Sequence, residues 1–153
     1  MIAEALLGLM VTFSSPAEHE CLAKNIYFEA RNQSVAGKIA VAQVVINRAN
    51  SRRFPNTICE VVYQGMKHKN GSMQRHRCQF SWYCDGLSDK PINRAAWEES
   101  QLLASDAMVL YEQGYDGTSG AMWYHAKNVN PYWISDFDYV AHIDDHLFYR
   151  TKK

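Results

Sequence analysis

The segment Cys21-Leu-Ala-Lys-Asn-Ile-Tyr-Phe-Glu-Ala-Arg31 keeps a helical period and carries one acid on its apolar side. Leu22, Ile26 and Glu29 stand at i, i+4 and i+7, so the Glu29 carboxylate shares a face with aliphatic side chains. Glutamate is seldom buried without a partner or a task, because desolvating its charge is costly. A carboxyl group lining an apolar cleft has its pKa raised and stays protonated near neutrality. That is what a general acid for glycosidic cleavage needs. The competing reading is a structural or surface glutamate paired with Arg31.

Outward from this segment, the pattern predicts a helix over residues 17–31, broken by Asn32-Gln33-Ser34. Ser34 caps a second helix over 35–49, in which Val35, Ile39, Ala42, Ile46 and Ala49 hold the period. Val41, Val44 and Val45 fill its other faces, which places it in the middle of a core. Arg48 and Asn50-Ser51 mark its exit. Phe54-Pro-Asn56 turns the chain, and Thr57-Ile-Cys-Glu60 is a capping box opening a short helix through Val61, Val62 and Gln64. Residues 65–77 are polar and basic without apolar period, and read as a mobile surface loop near a functional edge. Pro91 and Asn93 precede a long helix to Gln113, with Gly114 as its stop. Beyond Asp116-Gly117, residues 121–125, 138–143 and 146–149 read as short strands. The expected class is α+β, mostly α.

At 153 residues the chain is expected to be a single domain, with residues 1–16 an N-terminal extension. Sixteen basic residues balance sixteen acidic ones, which argues against an electrostatic nucleic-acid partner. Four Trp, nine Tyr and six Phe, many of them beside amides and hydroxyls, suit carbohydrate and equally suit a β-sheet core. Cys21, Cys59, Cys78 and Cys84 permit zero, one or two disulfides. Cys78 and Cys84 bracket a short aromatic segment that a bridge would staple if the protein works outside the cytoplasm; buried free thiols are the alternative. The apolar stretch 1–13 lacks a basic start, contains Glu4 and is too short to span a bilayer. It is read as packing on the domain, with uncleaved export as the alternative, and no stable membrane insertion is expected.

Three blocks of sequence together resemble the SleB-type cell wall hydrolases, the spore-cortex-lytic enzyme family. The first is Ile26-Tyr-Phe-Glu-Ala-Arg31 with Gly37-Lys-Ile-Ala-Val-Ala-Gln-Val-Val-Ile-Asn-Arg48. The second joins Phe54-Pro-Asn-Thr-Ile-Cys59, Val61-Val-Tyr-Gln64, Cys78-Gln-Phe-Ser-Trp82 and Asp85-Gly86. The third is Ala121, Tyr124-His125, Asn130-Pro-Tyr-Trp133, Ile143 and His146-Leu-Phe-Tyr149. They run in order over residues 20–150. The resemblance implies a lysozyme-like fold of the goose-type lytic transglycosylases, peptidoglycan glycan strands as substrate, and Glu29 as the catalytic residue. Neither cofactor nor metal is expected. The chain departs from the family at Asn32-Gln33, where Gly-Glu is usual, and at Asp144, where a Gly of positive φ is usual.

Lytic cleavage of the MurNAc–GlcNAc bond needs one acid that later serves as base; a hydrolytic muramidase commonly uses a second carboxylate. Glu60, Asp85 and Asp116 are the candidates for that second group, with Asp85-Gly86 read as a turn. Without an evident partner, transglycosylation is the expected reaction and hydrolytic muramidase the alternative. Gln79, Ser81, Tyr124 and His125 are expected to line the groove, with Trp133 as an aromatic wall; Tyr124 is expected to steady the transition state. His125 reads equally well as a hydrogen-bonded core residue, and Phe80, Trp82 and Phe148 read as packing, because alternation along a strand buries every second residue. A zinc amidase or peptidase is the rival, on His142-Ile-Asp-Asp-His146 or on His68, His76, Cys78 and Cys84. A carbohydrate-binding module is a further rival, but it needs no acid on an apolar helix. The chain is expected to act as a monomer on peptidoglycan in the periplasm or cell wall, with phage origin and release through a holin as the suggested route.

Overall fold

The computed structural model describes residues 15–153, so most of the N-terminal extension lies outside it. Among the described residues, the helical body comprises α1 (Pro16–Ala30), α2 (Val35–Ala49), the short α3 (Ile58–Val62) and α4 (Arg94–Glu112). A hairpin of β1 (Gly65–Lys67) and β2 (Met73–Cys78) follows α3. After α4, β3 (Trp123–Ala126), β4 (Phe137–Ile143) and β5 (His146–Thr151) form an antiparallel sheet in the order β3-β5-β4. The class is α+β with helix predominant, as the hydrophobic periods indicate.

Each α-helix begins where a side-chain oxygen meets a free amide. Ser15 accepts from Glu18 at 3.1 Å, Ser34 from Gly37 at 3.2 Å, Thr57 from Glu60 at 3.1 Å and Asn93 from Ala96 at 3.0 Å. These caps explain why the helix boundaries are legible in the chain. Glu18, in the first turn of α1, also accepts from the amides of Ile58 and Cys59 at the start of α3. The Cys21–Cys59 disulfide joins the same two helices, and Cys78–Cys84 closes the second bridge.

The central helix is α2. Its Ala42, Val45 and Ile46 pack with Leu22, Ile26, Val61 and Leu103 in the main core. Its Ala40, Val41 and Val44 face the sheet and meet Ala121 and Phe148. A helix covered on both sides must be apolar nearly all round, which is the pattern the sequence carries.

Two sequence expectations are corrected here. Residues 65–77 are a β-hairpin rather than a loop, turned at Asn70-Gly71, where Gly71 has φ +89° and His68 donates to Ser72 O at 2.8 Å. Both strand faces are polar, so no alternation betrays them; the Asn-Gly pair is the signal that does. Phe80 and Trp82 are buried as packing residues, but Trp82 lies on a 3-10 turn (Ser81–Cys84) and Phe80 just before it, rather than on a strand.

Asp144 sits in the β4–β5 turn with φ +50°, the conformation for which glycine is favoured. Its Oδ2 accepts from the backbone amide of Ser34 at 2.8 Å and from the Ser34 hydroxyl at 2.5 Å. Those bonds hold the turn against the N-terminus of α2, a purpose glycine has no side chain to serve.

Candidate active site

The last turn of α1 forms one wall of a cleft of about 380 Å³, lined by Tyr27, Phe28, Glu29, Arg31, Asn32 and Gln33, with Ser88, Lys90 and Ile92 opposite. Glu29 is half-buried in it. Beneath, Phe28 stacks on Trp82 with ring centroids 4.7 Å apart, and the Trp82 indole donates to Asn25 Oδ1 at 3.0 Å. That stack leaves the last turn of α1 little freedom.

Across the cleft wall from β3, the Tyr124 hydroxyl donates to Glu29 Oε1 at 2.9 Å. Among the described residues Oε2 has no protein hydrogen-bond partner. Burial pushes the Glu29 pKa up; the Tyr124 hydrogen bond and the Arg48 charge pull it back by less. The Tyr124 phenol is driven well above its usual value, first by burial and then by the Glu29 charge, so it remains a donor.

Arg31 does not pair with Glu29. Its Nη1 donates to the Tyr27 hydroxyl at 2.6 Å and its guanidinium lies 4.9 Å from the Tyr27 ring centroid. The same hydroxyl accepts from the Asn93 amide at 3.0 Å, tying the end of α1 to the start of α4. The structural ion-pair reading of Glu29 therefore falls. None of the candidate second carboxylates bonds to Glu29 either. Asp116 accepts from Asn47, Thr118 and Gly120; Asp85 accepts from Leu87 in a turn with Gly86 at φ +83°; Glu60 is exposed on α3.

Of the expected groove residues, the structure brings Tyr124 to Glu29. His125 and Trp133 lie on the other face of the sheet from Tyr124. Neighbours on a strand point to opposite sides, so Tyr124 and His125 cannot both face the acid. His125 Nε2 meets the Tyr149 hydroxyl at 2.9 Å and Nδ1 meets Ala126 O at 2.8 Å, while Trp133 packs edge-on against His125 at 5.6 Å. Gln79 and Ser81 are exposed on either side of buried Phe80, and neither side chain bonds to Glu29 or Tyr124.

Two residues not named as site residues in the sequence reading belong to this environment. His146 pairs in register with Ala126, which puts it on the Tyr124 face, and its ring meets the Tyr124 ring edge-on at 5.0 Å. Arg48 is buried at the end of α2, and burial lowers its pKa while the Tyr124 and Glu29 charges raise it. A charged residue on a helix apolar all round was the available signal for Arg48.

The metal patterns also dissolve. His142 registers with Leu147 and His146 with Ile143 across the two-residue turn, so the two imidazoles face opposite sides of the sheet. Cys78 and Cys84 are bonded to one another, which removes both thiolates from the His68–His76 group.

A helix-borne acid lining a cleft of the helical body and hydrogen-bonded from a small antiparallel sheet is the layout of a lysozyme-like protein. The chain belongs to the cell wall hydrolase family, whose match covers residues 32–149 and begins just past Glu29. It is 26% identical over 130 residues to a spore cortex-lytic enzyme of Oceanobacillus iheyensis, covering 84% of this chain and 40% of the relative. To the spore cortex-lytic enzyme of Bacillus subtilis it is 27% identical over 128 residues, 83% of this chain and 35% of that one. The chain thus spans about two fifths or less of these curated relatives. Among solved structures, the catalytic domain of the germination-specific lytic transglycosylase SleB from Bacillus anthracis superposes with a TM-score of 0.68 at 26% identity. That match covers 89% of this chain and 96% of the other. The Bacillus cereus SleB catalytic domain gives a TM-score of 0.63 at 24% identity, over 89% and 91% of the two chains, and supports the fold alone.

Proposed function

We propose that this chain cleaves the MurNAc–GlcNAc β-1,4 bond of peptidoglycan as a lytic transglycosylase, leaving 1,6-anhydroMurNAc ends. The observation that carries this reading is the state of Glu29: raised by burial, held through Oε1 by Tyr124, with Oε2 unengaged by protein. Oε2 then presents the proton to the glycosidic oxygen as the bond to C1 breaks. The resulting carboxylate takes the proton of the MurNAc C6 hydroxyl as that oxygen attacks C1. The described residues that line the cleft bring no second carboxylate to face Glu29, which favours this route over hydrolysis through an acid pair. The SleB catalytic domain of similar fold, described as a lytic transglycosylase, supports the same choice.

In this reading the whole chain acts as one catalytic domain and a monomer, without cofactor. Gln79 and Ser81 contact sugar hydroxyl or N-acetyl groups further along the groove. No helix among the described residues is long and apolar enough to cross a membrane. The protein reaches peptidoglycan in the periplasm or cell wall, and a phage holin is the route we assign. Digestion of purified peptidoglycan with wild type and Glu29→Gln, followed by mass spectrometry, tests the reading. Anhydro-muropeptides absent from the variant digest are expected; reducing ends would make the protein a hydrolase, and released stem peptides on intact glycan would make it an amidase.

A further inference from the structure

Arg48 is a full cation in the interior. It is 6% exposed, its Nε donates to Met122 O at 2.7 Å, and its guanidinium lies 4.9 Å from the Phe54 ring and 5.5 Å from the Phe80 ring. Its Nη1 is buried without a protein acceptor, and among the described residues no acid forms an ion pair with it. Guanidinium does not shed its proton in proteins, so burying it unpaired is a standing cost that calls for a reason. Packing does not supply one, since an apolar side chain would fill the space between two rings more cheaply.

We infer that Arg48 is a positioning residue that supplies the counter-charge for the Glu29 carboxylate after it has given up its proton. The inference rests on the reading of Glu29 as acid and then base. When Oε2 protonates the leaving oxygen, a negative charge is left on a half-buried group with a single protein hydrogen bond, from Tyr124. A fixed, buried cation whose charge acts on Glu29 stabilises that carboxylate without reorganising as it develops. Arg48 also grips the carbonyl of Met122, two residues before Tyr124, while neighbouring Asn47 donates to Ala121 O at 3.0 Å. The end of α2 therefore anchors the strand that delivers the Tyr124 hydroxyl and, from the same turn, delivers the charge.

Other charges around Glu29 are few. Arg31 on its own helix and Lys90 on the opposite rim line the cleft. Tyr124 reaches it from β3, and His146 packs on the Tyr124 ring from β5 with Asp144 and Asp145 beside it. Arg31 is spent on Tyr27. Arg48 is the buried cation of this set.

The test is the pH profile of peptidoglycan digestion by wild type, Arg48→Gln and Arg48→Lys, with circular dichroism to confirm folding. Removing the charge should raise the alkaline limb of the Arg48→Gln profile, which reports loss of the Glu29 proton, and cut the maximal rate by tenfold or more. Arg48→Lys, with its charge on a shorter and differently shaped head, should lie between. If Arg48→Gln does not fold, Arg48→Met, which keeps the apolar stem and lacks the charge, decides the matter by the same upward displacement. A folded charge-free variant with an unmoved alkaline limb, even at reduced rate, would show Arg48 to be structural and overturn the inference, provided Glu29→Gln is inactive. An active Glu29→Gln would overturn the acid–base reading and the inference with it.

Discussion

The Tyr124 hydroxyl donates to Glu29 Oε1 at 2.9 Å between residues 95 positions apart in the chain. This bond fixes which carboxyl oxygen is free to meet a substrate, and it ties the acid's strength to the placement of the sheet. Tyr124 packs against both the main core and the helix–sheet core, so the hydroxyl cannot swing away without disturbing both.

Tyr124→Phe keeps the ring and removes the bond. A hydrogen bond to a charged group contributes about 1.5–3 kcal/mol, so the maximal rate should fall roughly tenfold to hundredfold. Because that bond lowers the Glu29 pKa, its loss should move the alkaline limb of the activity profile upward. A rate and profile equal to wild type would remove Tyr124 from the mechanism.

Glu29→Gln should abolish lysis yet stabilise the fold near neutrality. The folded pKa of Glu29 is raised, so the stability it contributes is fully present below the ordinary carboxyl value of 4.5 and is lost as pH rises through the folded pKa. The variant should melt higher than wild type at pH 7, with the gap closing in acid. Thermal unfolding at several pH values checks this, and a gap that does not vary with pH contradicts it.

The two disulfides should differ in weight. They close sequence separations of 38 and 6 residues, for which loop entropy gives contributions of about 4 and about 2 kcal/mol. Paired Cys→Ser variants compared by denaturant midpoint should rank Cys21–Cys59 as the more costly loss. The reverse ranking would show that local packing outweighs chain entropy here.

Gly37 marks a close approach, because a Cβ there would overlap Asp144 Oδ2, the atom that binds Ser34. Gly37→Ala should lower the melting temperature in wild type and lower it less in an Asp144→Gly background, where the obstructing carboxylate is gone. Equal losses in both backgrounds would mean the alanine clashes elsewhere. Asp144→Ala should be worse than Asp144→Gly, since alanine loses the bonds to Ser34 and keeps the strain at φ +50°.

Local pattern alone determined the helices, because Ser15, Ser34, Thr57 and Asn93 each satisfy an amide within their own first turn. It also determined that α2 is central, and that Glu29 stands on an apolar face, since helical period is a property of neighbours. The β1–β2 hairpin escaped because two polar faces leave no alternation to read, although Asn70-Gly71 marked its turn. Tertiary structure decided the rest. Strand register placed Tyr124 toward Glu29 and turned His125 and Trp133 away, and it set His142 and His146 on opposite faces. Packing of α2 against the start of β3 brought Arg48 into the interior. Such contacts join positions far apart in the chain, and each depends on how whole elements dock, so no stretch of sequence carries them by itself.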